Sequence, residues 1–150
     1  MPKTESFKIA SVQARPEFLD LGASVEKACG LIREAGENGA RLAVFPEAFL
    51  PGYPLWVWFI PSGHTHPLRE LYVELHANSI SIPGSETDRL GKAASEYGMA
   101  VVMGVNERNS EASDSSLYNT LLFLGPDGSV LGKHRKLIPT AGERLVWAQG

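Results

Sequence analysis

The stretch Ala43-Val44-Phe45-Pro46-Glu47-Ala48-Phe49-Leu50-Pro51-Gly52-Tyr53-Pro54 decides how the chain is read. The apolar run from Leu42 to Phe45 predicts a buried strand. It ends at Pro46, which has no N–H to give to a ladder. Glu47 follows at once, among Phe45, Phe49, Leu50 and Tyr53. Two readings of Glu47 stand on these residues alone. One is a solvated carboxylate just past a strand, as most carboxylates are. The other is a partly desolvated carboxylate whose raised affinity for protons suits a general base near neutrality.

Upstream, Phe7 to Ala14 reads as a first strand bounded by Arg15-Pro16. Leu21, Val25, Ala28, Ile32 and Ala35 then recur at helical spacing, and Gly36 and Gly39 close that helix. Strand, helix and strand in that order predict an α/β sheet with helices on its face. Downstream, Trp56 to Ile60 is apolar and breaks at Pro61-Ser62-Gly63. Pro67 opens a helix with Leu68, Leu71, Tyr72 and Leu75 on one face. Ser85 and Asp88 form an expected capping box for a helix that groups Leu90, Ala93, Ala94 and Tyr97 before Gly98. Met99 to Val105 is a further buried strand, and Asn109 to Ser116 a polar, mobile loop. Leu117 to Leu124 and Ser129 to Arg135 read as a hairpin around Gly125-Pro126-Asp127-Gly128. Ala141 to Gly150 is expected to add no element that closes the sheet.

The chain has 150 residues, 43% of them apolar, enough for one domain with a core. A formal charge of −3 gives no general attraction to nucleic acid or anionic lipid. The apolar runs are too short to span a bilayer. Met1 to Ser6 is polar with no apolar segment after it, so no secretory leader is expected. A single cysteine, Cys29, makes no internal disulfide and fits a reducing cytoplasm. It sits on the apolar face of the first helix and reads as an inert core thiol rather than a nucleophile.

A second candidate for chemistry is Lys136, in Lys133-His134-Arg135-Lys136-Leu137-Ile138-Pro139-Thr140. It leaves a polar run and enters an apolar one. It is either a fixed positive charge for a developing oxyanion or part of a solvated basic patch. Lys133 and Arg135 are read as that solvated patch. Glu143 is either a second carboxylate of the same pocket or an exposed partner of Arg144. Trp56, Trp58 and Phe59 line a pocket for an apolar substrate or pack the core; both accounts fit. His64, His66 and His76 lack a Cys or Asp to complete a ligand set, so no metal is expected. No glycine pattern suits a phosphate.

Taken together, these stretches resemble the carbon–nitrogen hydrolases of the nitrilase superfamily, most closely its nitrilase branch. Phe45 to Pro54 is similar to the family's glutamate motif. His134 to Thr140, continuing through Glu143-Arg144, is similar to its lysine motif, and Lys8 to Ala14 to its first strand. The resemblance implies an α/β fold of the αββα sandwich type, two such units facing each other in a homo-oligomer. It implies a Glu–Lys–Cys triad acting on a nitrile or amide carbon, with no metal or organic cofactor. Glu47 would be the general base, Lys136 the charge stabiliser and Glu143 a supporting carboxylate. Tyr53 and Trp56 would lie near the substrate.

The family's cysteine stands on a later strand-end than any in these residues. Residues 1–150 are therefore expected to be the N-terminal part of a single domain, and inactive alone. The expected reaction is a nitrile and water to a carboxylic acid and ammonia. Amide-hydrolysing and cyanide- or nitrile-hydrating relatives are alternatives. So is an inactive fragment serving as an assembly module.

Overall fold

The computed structural model describes residues 6–111 and 113–150. Residues 1–5, where the absence of a leader was read, and Ala112 of the expected loop lie outside them. Five strands form one sheet in the order β1 (Lys8–Ser11), β2 (Ala40–Val44), β3 (Ala100–Arg108), β4 (Leu117–Leu124) and β5 (Val130–Arg135). The first three run parallel, β4 runs antiparallel to β3, and β5 runs antiparallel to β4 and so in the direction of the first three. Helices α1 (Leu21–Glu37) and α3 (Ser85–Ser95) make the parallel crossovers, and α2 (Thr65–Ala77) precedes α3.

The main core lies between the sheet and the helices α1 and α3. Ala43, Val101, Met103, Val105, Leu122 and Leu124 project from one sheet face against Val25, Ala28, Ile32, Leu90 and Ala94. Asp20 caps α1 by accepting from the Ala23 N–H at 2.9 Å. Cys29 is buried on that face, and burial pushes its thiol pKa up despite Arg89 and Arg33 nearby. The hairpin turn is pressed against α3, where a Cβ on Gly91 would collide with the Gly128 backbone. Gly128 also takes φ of 83°, which a side chain resists. On the opposite sheet face Val44, Val102 and Phe123 are only half-buried, and Ile9 and Leu121 are exposed. The chain thus forms one helix layer on one sheet layer, half of an αββα sandwich.

Several expected boundaries move. β1 stops at Ser11 instead of Ala14: beyond the Val12 N–H bond to Val44 O, its partner strand has ended. β3 continues to Arg108 because β4 pairs with it as far as Arg108 opposite Leu117. Helix α2 starts at Thr65, and Pro67 falls inside its first turn, where a missing N–H costs no bond. Helix α3 is capped at Gly84, whose N–H donates to the buried Thr87 hydroxyl at 2.9 Å; Ser85 donates to Glu86 instead. Tyr97 lies past the end of α3, off its buried face.

The last ten residues add no strand to the sheet, yet they pack against the rest of the chain. A 3₁₀ turn, Ala141–Leu145, is followed by Trp147, which bridges to Leu117. Trp147 joins a second, smaller core with Ala48, Trp56, Val57, Leu75, Leu117 and Val146. Among the described residues no helix is long and apolar enough to cross a membrane.

Candidate active site

Glu47 and Lys136 follow β2 and β5, which are separated in the sheet by β3 and β4. They meet because the segment after β2 crosses over β3. Gly104 on β3 makes that crossing possible. A Cβ there would stand within 3.0 Å of Pro46 O, Ala48 N and Glu47 Cα. Ala48 takes a left-handed φ of 50°, which turns the chain beside Glu47.

Asn106, two residues on, is fully buried. Its amide donates to Leu50 O at 3.1 Å and Gly52 O at 3.0 Å, and accepts from the Trp147 indole N–H at 2.8 Å. One side chain thereby ties the glutamate segment to the end of the chain. These three partners leave no buried donor or acceptor of Asn106 idle.

The Lys136 ammonium donates to Glu47 Oε1 at 3.1 Å and to Glu143 Oε2 at 2.9 Å. Glu143 is 4% exposed. It accepts also from the Tyr53 hydroxyl at 2.7 Å and the Thr140 N–H at 2.6 Å. Burial pushes the Glu143 carboxyl pKa up, but the Thr140 amide, Tyr53 and Lys136 outweigh it and hold the group below its ordinary value. Burial likewise pulls Lys136 down, and its bonds to Glu143 and Glu47 more than reverse this, so the ammonium is held above the ordinary lysine value. Burial and the Glu143 bond push the Tyr53 phenol up to about 12.

The expected surroundings of Glu47 differ. Phe45, Phe49 and Leu50 turn into the main core instead of walling the carboxylate. The Glu47 side chain is consequently half exposed, at 50%. The residues brought together around it are Lys136 and Asn119, with Glu143 and Tyr53 behind Lys136. Trp56 is packed in the second core, edge-on to Phe18 at 5.9 Å between ring centres. Trp58 instead reaches the site, donating to the Tyr53 hydroxyl at 3.1 Å. The alternative partner for Glu143 is not used: Arg144 donates to Pro139 O.

Asn119, which sequence reasoning missed, donates to Glu47 Oε1 at 2.6 Å. Its signal was its place within an apolar β4, where a buried amide needs a partner. Glu107 was missed too. It is 1% exposed and binds Lys133 at 2.7 Å, Arg135 at 2.5 Å and Thr120 at 2.7 Å. Lys133 and Arg135 are therefore no solvated patch. They neutralise a charge that burial would otherwise make very costly. Among the described residues no group of three or more His, Cys, Asp or Glu is placed to hold a metal ion.

A cavity of about 310 Å³ opens over Glu47, Asn119, Leu121, His134, Lys136 and Leu137. It offers a carboxylate, a fixed ammonium and apolar walls to a small molecule. That set can accept a proton and hold developing negative charge.

The sequence signature of the family described as carbon-nitrogen hydrolase matches residues 8–150. A protein named Nitrilase 2, from an unknown prokaryotic organism, is 50% identical over 138 residues, covering 92% of this chain and 43% of that protein. An aliphatic nitrilase of Sinorhizobium fredii is 47% identical over 146 residues, covering 96% of this chain and 46% of its own length. The chain thus spans less than half the length of these relatives. Among solved structures, Nit3 of Saccharomyces cerevisiae superposes with a TM-score of 0.73 at 20% identity, over 95% of this chain and 48% of that one. A double mutant of an amidase from Nesterenkonia sp. AN1, solved with acrylamide, gives 0.67 at 20% identity over 100% and 50%.

Proposed function

Because the chain belongs to the carbon–nitrogen hydrolase family, we propose that it is the N-terminal part of a hydrolase domain that converts a nitrile to a carboxylic acid and ammonia. Its nucleophilic cysteine lies outside these residues. One observation carries the reading: Glu47, Lys136 and Glu143 share one chain of hydrogen bonds at the mouth of a cavity. The nitrilase relatives support a nitrile as substrate.

A thiol of ordinary pKa, about 8.5, is only a few per cent thiolate at neutral pH. Glu47 takes its proton as sulfur attacks the nitrile carbon, and the nitrile nitrogen receives a proton, giving a thioimidate. Water, deprotonated by Glu47, adds to that carbon, and ammonia leaves to give a thioester. A second water releases the acid and restores the thiol. Each addition builds charge beside the cavity, where the Lys136 ammonium stands. Glu143, Tyr53 and Thr140 keep that ammonium aimed. The same proposal includes a homo-oligomer of facing αββα units in the cytoplasm.

Ammonia release by the full-length protein from aliphatic, aryl and arylacetonitriles, set beside the matching amides, tests this. Nitrile turnover lost in Glu47→Gln is the expected result. Turnover of amides with none of any nitrile would reject the nitrile assignment and leave an amidase.

A further inference from the structure

We infer that Asn119 is a positioning residue that decides which oxygen of Glu47 works as the base, an inference that rests on the hydrolase reading above. Asn119 lies in β4 directly opposite Asn106 of β3, and it is buried. Its amide N–H and the Lys136 ammonium both donate to the same oxygen, Glu47 Oε1, at 2.6 and 3.1 Å. Among the described residues no donor reaches Oε2. Two donors on Oε1 occupy its lone pairs and fix the plane of the carboxylate. Oε2 keeps its lone pairs and is the oxygen left to receive a proton.

Lys136 alone does not make this choice. Its stem is flexible, and its ammonium is also held by both oxygens of Glu143. Asn119 stands in β4 opposite Asn106, and its backbone carbonyl accepts from the Lys136 N–H at 2.8 Å, so its backbone is held on both sides and its amide comes from a rigid direction. The S–H proton accordingly passes to Oε2 as the S–C bond forms. The π pair of the nitrile moves to nitrogen, which then takes that proton from Oε2. Oε1 stays bonded to its two donors throughout.

Other charged groups face Glu47. Lys136 touches it, Glu143 acts through Lys136, and His134 lines the same cavity. Arg15 and Glu17 share a second cavity with Glu47. Replacing Asn119 leaves all of these in place, so a change in pH dependence reports on the amide.

The test uses the full-length protein with Asn119→Leu and the isosteric Asn119→Asp, which keeps the site polar should the leucine variant fail to fold. On the best nitrile or amide, kcat falls about 100-fold with KM unchanged, the cost of a slightly misplaced reacting group. The acid limb of kcat/KM moves to higher pH, because a hydrogen bond to the ionised base is gone. Asn119→Asp moves it further, since a like charge now faces Oε1. A kcat within twofold of wild type, or a raised KM with the acid limb unmoved, overturns the inference. Crystal structures separate this from the hydrolase reading. If the wild type turns over neither substrate class, that reading fails. The position of Glu47 in Asn119→Asp still decides: a carboxylate swung away from Lys136 supports the role, and an unmoved one sinks it.

Discussion

Lys136 serves two carboxylates whose burial is unequal. Glu143 is enclosed and has further donors, so it is the standing counter-ion; Glu47 is half exposed and, among the described residues, receives its donors on one oxygen. Lys136→Met removes the ammonium proposed as charge stabiliser, a kind of donor worth about 3 kcal/mol. Turnover by the full-length protein is expected to fall at least about 100-fold, and the melting temperature to fall too, because a buried carboxylate loses its cation. The double variant Lys136→Met/Glu143→Gln restores the melting temperature and not the turnover, which paired melts and ammonia assays read directly.

Acid has a signed effect at the same scale. Glu143 and Glu107 both have folded-state pKa values below the ordinary one. The stability they contribute is complete above the ordinary carboxylate range and is lost as pH falls through the depressed values. The urea midpoint is therefore expected to hold near neutrality and drop in strong acid. Glu107→Gln starts lower at neutral pH and loses less on acidification.

Among the elements, the crossing of the glutamate segment over β3 is what brings ends of distant strands together. Gly104→Ala drives a methyl into the Pro46–Ala48 backbone. An overpacking cost of about 1–3 kcal/mol follows. Activity suffers more than stability, because the displaced atoms include Glu47 Cα; comparing urea midpoint with kcat separates the two losses. Helix α1, the β4–β5 hairpin and both site motifs were legible because periodicity and motif length are local signals. Asn119, Asn106 and the Glu107 pairings were not. Each depends on which residue stands opposite it across a strand, and a linear sequence does not state register. Trp147 was hidden for the same reason: its worth comes from a hydrogen bond to Asn106 across the fold.

For the molecule as a whole, the uneven sheet matters most. One face carries the main core, while Ile9 and Leu121 stand exposed on the other beside half-buried Val44, Val102 and Phe123. A contiguous apolar face of this kind marks a surface made to be covered. Residues 1–150 expressed alone are expected to bind the dye ANS and to form aggregates of no fixed size, whereas the full-length protein is expected to bind little dye and to scatter as one defined species; fluorescence and light scattering at matched concentrations check this. Glu47 and Lys136 stand 89 positions apart along the backbone. Loop closure of that span is slow relative to forming a helix or a hairpin. In a refolding time course, recovery of the pair should therefore trail the far-ultraviolet signal, and on the ribosome it has to wait until the polypeptide has emerged past residue 136.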